Sequence, residues 1–213
     1  MPGMVMAKGT MDLILRDRLQ FTLDGGGNQT TVYGRFDLSE YVSTLERKGL
    51  AVKEVQFMLR NPNNAAFPNT GQWDLLGDKG PNASQDTLAT AAMKIYATTR
   101  AYEAAKDVGI ASPDVLCVEQ WQTYLGPSVA DAFPAAGTVS GSQFMSIQHT
   151  KYGTPDLHPD GFPVVTDLLI GVATDGWASE LSQTLELDVM LIASPITINQ
   201  KQLTEMLVQG QDQ

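Results

Sequence analysis

The strongest alternation of apolar and polar positions lies near the C-terminus, in Leu185–Ile198 (LELDVMLIASPITI). Leu185, Leu187, Val189 and Leu191 share one parity, and Glu186 and Asp188 take the other. A period of two marks a strand with one buried face. The second most apolar segment is Val164–Ala173 (VVTDLLIGVA). A polar stretch, Thr174–Thr184, joins the two, with Asp175 and Gly176 as turn residues. The pattern predicts a buried antiparallel hairpin with the remaining sheet built around it.

The same period recurs upstream. In Met11–Leu23, Leu13, Leu15, Leu19, Phe21 and Leu23 share a face opposite Asp12, Arg16, Arg18, Gln20 and Thr22. Asp17 interrupts the apolar face and predicts a bend or bulge. Asp24-Gly25-Gly26-Gly27-Asn28 reads as a turn, and Thr30–Leu38 as the return strand of a second hairpin. Asp37 and Glu40 have capping-box spacing and predict a short helix through Tyr41, Val42 and Leu45, closed by Lys48 and Gly49. A strand follows with Val55, Phe57 and Leu59 on one face and Glu54, Gln56 and Arg60 on the other.

Asn61–Asp86 reads as a long loop with Trp73, Leu75 and Leu76 pinning its middle. Thr87–Val108 fits a helical stripe and a strand about equally. Its β-branched and aromatic run Ile95–Thr99 decides for a strand at Ala92–Arg100, then a helical turn at Tyr102–Asp107. Strands are expected at Asp114–Tyr124 and Gln143–Gln148, loops at Gly126–Gly141 and Lys151–Gly161, and an amphipathic helix at Asn199–Val208. The fold class is therefore mainly β: an antiparallel β-sandwich or single jelly roll with short helices in its connections. Residues 11–209 read as one such domain, between a flexible N-terminal segment (1–10) and a flexible C-terminus (210–213).

Composition narrows the function. The 213 residues are 43% hydrophobic and 18% charged, enough for a sizeable core and too apolar for disorder. A net charge of −10 disfavours direct nucleic-acid binding, because phosphate is repelled. The segment MPGMVMAKG lacks the apolar run of a secretory signal, and no run approaches the length of a membrane-spanning helix, so the chain reads as soluble. With one cysteine, an internal disulfide is impossible; Cys117, in the run Val115–Val118, reads as a small buried hydrophobe.

The most metal-like cluster is Asp156-Leu157-His158-Pro159-Asp160. Alternate residues there could set two carboxylates and an imidazole on one side of a loop. The only other histidine is His149, so a Pro-bounded polar turn explains the same residues. Gly25–Gly27 precedes a strand and lacks the Lys-Ser/Thr of a phosphate loop. Ser140, Ser142 and Ser146 lack the spacing of a nucleophile elbow. Asn28-Gln29-Thr30 and Asn82-Ala83-Ser84 match the glycosylation sequon without a signal peptide to support it. Trp73, Trp121 and Trp177 read as core or loop anchors, with sugar stacking as the alternative. No catalytic residue, metal site or cofactor is assigned, and the chain is read as a non-enzyme.

The order strand, Gly-rich turn, strand, Asp-Leu-Ser-Glu-Tyr, strand over Met11–Arg60, with TDLLIGVATDG and LELDVMLIASPITI, resembles the single jelly-roll major capsid proteins of tailless icosahedral viruses, including those of archaea. The resemblance implies a structural protein that self-assembles into a virion shell in the host cytoplasm, with itself and other shell proteins as partners. The chain departs from those relatives that carry a basic N-terminal arm: only Lys8 precedes Arg16. That fits a shell whose inner surface faces a membrane or another protein layer. The alternative is a lectin-like or adhesion β-sandwich; a third reading is an enzyme using a metal at His158.

Overall fold

The computed structural model describes residues 12–26, 28–62, 89–112, 114–125, 145–153, 160–177 and 182–209. These hold nine strands: β1 (Leu13–Thr22), β2 (Gln29–Phe36), β3 (Lys48–Arg60), β4 (Ala89–Thr98), β5 (Val115–Leu125), β6 (Met145–Tyr152), β7 (Phe162–Val164), β8 (Leu168–Asp175) and β9 (Thr184–Thr197). One helix, α1 (Gln200–Gln209), follows them. Sheet A has the order β1-β9-β3-β7 and sheet B the order β2-β8-β4-β5-β6, with every pair antiparallel.

The pairs β1/β9, β2/β8, β3/β7 and β4/β5 are nested. The first half of the chain pairs with the second half in reverse, as in one long hairpin, and that ribbon is wound across two sheets. This is the jelly roll. Strand β6 is an addition to it, on the outer side of β5. Among the described residues no helix is long and apolar enough to cross a membrane.

Both predicted hairpins are corrected. Strands β8 and β9 belong to different sheets, as do β1 and β2. Period-two patterning fixes which face of a strand is buried but is silent on which strand lies beside it. The turns are corners that carry the chain from one sheet to the other, and the two corners lie together. Leu23 N–H donates to Gln183 C=O (3.0 Å), Ser182 N–H to Asp24 C=O (3.1 Å), and Gly176 N–H to Asn28 Oδ1 (2.9 Å). Asp24 Oδ1 accepts from the N–H groups of Gly26 and Asn28, both at 2.8 Å, which tightens the first corner. Asp24→Ala is expected to lower stability by about 1 kcal/mol, read as a shifted urea midpoint with an unchanged slope.

The segment Val164–Ala173 is likewise two strands, β7 in sheet A and β8 in sheet B, with a bend at 165–167 between them. The helix expected over Asp37–Gly49 is absent. Tyr41 and Val42 N–H both donate to Leu38 C=O (2.8 and 3.0 Å), and a Ser43–Lys48 bridge with Arg47 at φ 57° then leads into β3. Asp37 Oδ1 accepts from Ser39 N–H (2.9 Å), a bond that lowers its pKa, so it closes one turn and starts no helix. Leu45, counted on the helical stripe, is 95% exposed, and Lys48 and Gly49 open β3.

Asp17 makes no bulge. β1 pairs with β9 without interruption from Leu13↔Ala193 to Thr22↔Thr184. As β1 is an edge strand, an inward-parity carboxylate there reaches solvent through a cleft beside Gly34 and Arg35. In sheet A the bulge lies in β3, where Val52 faces Ala193 and Glu54 faces Ile192. The extra residue, Lys53, switches the buried parity from Leu50 and Val52 to Val55 and Leu59, and its ammonium reaches Asp12 (2.7 Å).

The β4, β5 and α1 expectations hold to within a few residues, with a 3-10 turn at Ala105–Asp107 and Asn199 Oδ1 capping α1 through Gln202 N–H (2.9 Å). Strand β6 runs past its predicted end into Lys151 and Tyr152. The predicted loops over 63–86 and 126–141, and the flexible ends 1–10 and 210–213, lie outside the described residues.

The core sits between the sheets. Leu185, Leu187, Val189 and Leu191 of β9 face Met93 and Ile95 of β4 and Leu168, Ile170 and Val172 of β8, with Trp177 fully enclosed. A second apolar layer covers the outer face of sheet B. There the β4–β5 connection folds back so that Tyr102, Ala105 and Val108 pack on Tyr33, Tyr96 and Val118. Lys94 fastens that connection by donating to the carbonyls of Ala105 (2.8 Å) and Val108 (2.7 Å), and its burial lowers its pKa.

Candidate functional site: an ionic clasp and the faces around it

On β5 the alternation turns Cys117, Glu119, Trp121 and Thr123 toward the sandwich interior, and Glu119 is 2% exposed. Strand β6 brings the partners this carboxylate needs. Lys151 lies directly opposite Glu119, and His149 directly opposite Trp121. Lys151 Nζ reaches Glu119 Oε1 at 2.8 Å, and His149 Nε2 reaches the same oxygen at 2.7 Å. The imidazole stacks on the Trp121 ring with centroids 4.5 Å apart and planes at 11°. A buried carboxylate persists when it is paired and hydrogen-bonded, and both conditions are met from one strand.

The chemistry of this cluster is that of a clasp. Among the described residues, His149 bonds only to Glu119 and stacks on Trp121, with no hydroxyl or thiol attached. Two basic side chains of β6 converge on one oxygen of β5, which ties the added strand to the roll. Cys117, two residues before Glu119, is 2% exposed, and burial pushes its thiol up to about 12, far from a reactive thiolate at neutral pH.

The outer face of sheet A carries a second charge network. Arg18 of β1 and Arg60 of β3 flank the acids of β9: Arg18 Nε lies 2.6 Å from Asp188, and Arg60 lies 3.3 Å from Glu186. Gln20 Nε2 donates to Glu186 Oε1 (3.1 Å). Beside the network, Arg16, Gln56, Met58 and Met190 line a depression of about 800 Å3, and Ile14 and Met58 are exposed on this face.

Of the residues singled out in the sequence, Asp156 and His158 lie outside the described residues. Asp160 is exposed, beside the start of β7. Among the described residues no three His, Cys, Asp or Glu side chains come together to hold a metal. Trp177 is in the core, Trp121 is partly buried against His149, and Trp73 is outside the described residues. Asn28 of the first sequon is exposed in the corner, its side-chain oxygen already engaged by Gly176; the second sequon and Ser140 and Ser142 are outside the described residues. Sequence reading missed the clasp. Its signal was there: one acid on the parity of Cys117 and Trp121, and two basic residues spaced by two on the next strand.

No protein-family model matches the chain, and no curated protein matches it. Among solved structures, the chain is similar to one from "Structure of Turnip Yellow Mosaic Virus at 100 K", with 9% identity over 90% of this chain and 99% of that one, at a TM-score of 0.23. A score that low does not establish a common fold, and the jelly roll assigned above rests on strand order alone.

Proposed function

We propose that the chain is a structural subunit, without a catalytic role, that assembles with copies of itself into a virion shell in the host cytoplasm. The observation that carries this reading is the nested jelly-roll strand order, joined to exposed apolar side chains on its outer surfaces: Ile14 and Met58 on sheet A, Ile147 and Tyr152 on β6. Closed layered sheets with apolar positions at face and edge suit tiling by symmetric contacts. The sequence resemblance to single jelly-roll capsid proteins points the same way. A net charge of −10 suits contact with a membrane-facing or protein layer, including other shell proteins, better than contact with a genome.

The lectin-like reading needs tryptophan faces open to a sugar. Among the described residues, Trp177 is fully buried and one face of Trp121 is taken by His149, which favours the shell reading. Size-exclusion chromatography with light scattering, followed by negative-stain microscopy, is expected to give defined oligomers or closed particles. A compact monomer at every concentration and salt would overturn the proposal.

A further inference from the structure

We infer that β6 is a pairing seam, at which the five-stranded sheet B of one copy continues into sheet B of a second copy through an antiparallel β6–β6 contact about a twofold axis. The inference rests on the assembly reading above and names one of its contacts.

The argument comes from comparing the four sheet edges, β1 and β7 in sheet A and β2 and β6 in sheet B. An open edge offers unpaired N–H and C=O groups, and proteins that stay apart guard it with bulges, prolines, short strands or inward charges. Three edges here are guarded. Strand β1 carries Asp17 on its inward parity. Strand β2 has a register break between Gln29 and Val32. Strand β7 is three residues long with Pro163 at its centre.

Strand β6 has no bulge, no proline and no short run, and its one inward-parity charge that is fixed in sign, Lys151, is paired with Glu119. It runs eight residues, MSIQHTKY, without a proline and in unbroken register with β5. Among the described residues no strand pairs with its other side. Ile147 is 56% exposed and Tyr152 45%. Its one lysine would be an edge guard, yet Lys151 turns its ammonium back onto Glu119.

Charge selects the occupant. A chain of net charge −10 repels its own copy over most of its surface. Strand β6 has no acidic residue, and the acid behind it is held by Lys151 and His149. Two copies can therefore approach here without opposing carboxylates. A twofold axis across a strand edge is self-complementary, so one surface serves both sides.

The test uses the full chain. Ile147→Glu with Gln148→Glu places carboxylates on two exposed positions of β6, one on each face of the seam. Sedimentation equilibrium is expected to show the wild-type association weakened at least about 100-fold with an unchanged circular dichroism spectrum. Cysteines introduced together at Gln148 and Thr150 are expected to cross-link two copies under mild oxidation, through 148–148, 150–150 or 148–150 pairs according to where the twofold axis falls, since Cys117 is buried and silent. A wild type that assembles, with charge variants that keep its mass and cysteines that fail to cross-link, would overturn the seam and leave the assembly reading standing. A wild type monomeric throughout would overturn both.

Discussion

Gly171→Ala should lower stability by about 3 kcal/mol, at the upper end of what overpacking costs a well-filled site. Gly171 lies in β8 with Tyr33 of β2 on one side and Tyr96 of β4 on the other, all three in one row. The two rings meet over it edge to face, with centroids 5.9 Å apart at 82°. A Cβ on Gly171 would lie 2.3 Å from Tyr96 Cζ and 2.5 Å from Cε2, so the ring itself must move.

The ring is not free to move. The Tyr33 hydroxyl donates to Tyr102 C=O (2.9 Å) and accepts from Tyr102 N–H (2.7 Å). Tyr96 must then be the donor in the 2.7 Å bond between the two hydroxyls. Moving Tyr96 therefore breaks its bond to Tyr33 and disturbs the packing under Tyr102, Ala105 and Val108 on the outer face of sheet B. For a chain of this size the loss corresponds to a melting temperature lowered by roughly 6–12 °C. Tyr96→Leu should be destabilising alone, yet should reduce the cost of Gly171→Ala when the two are combined, because the clash goes with the ring. An alanine at 171 that costs the same with and without the Tyr96 ring would refute this account.

That row shows what a sequence withholds. The parity of β8 was readable, since Leu168, Ile170 and Val172 alternate with Leu169, Gly171 and Ala173. The need for a glycine was not readable, because it comes from two tyrosines that sequence places 63 positions apart and the fold sets on either side of it. The same division holds throughout. The inward faces of β1, β3 and β9 and the outward parity of Glu186 and Asp188 follow from alternation, which is local. The partnering of β8 with β2 and β4, and of β9 with β1 and β3, follows from winding the ribbon, which is global. The error over Asp37–Gly49 is of a third kind. Asp37 does bond a following amide, but an Asx turn and a helix N-cap share that first bond, and Leu38, fully buried with its N–H on Asp167 (2.9 Å), holds the chain to the turn.

Lys151→Met is expected to lower stability by about 2 kcal/mol, whereas Glu119→Leu should cost under about 1 kcal/mol, and the order of the two is the claim. The asymmetry follows from exposure. The Glu119 side chain is 2% exposed and cannot turn to water, so losing the ammonium leaves a buried charge held by His149 alone. The Lys151 side chain is 44% exposed and the His149 side chain 37%, so losing the carboxylate lets both swing outward and find solvent. Leucine then fills an apolar position beside Cys117 and Trp121. That same exposure is why about 2 kcal/mol is expected for the lysine change, below the usual cost of breaking a buried pair. The double variant should be more stable than Lys151→Met alone, the sign of a charge removed together with its need for a partner. Hydrogen exchange should localise the change: amides of β6 should lose protection in Lys151→Met and keep it in Glu119→Leu. If β6 is the seam between copies, association should weaken in the same order. A Glu119→Leu variant less stable than Lys151→Met would mean that the carboxylate contributes net stability to the roll, and the clasp would have to be rebuilt on that footing.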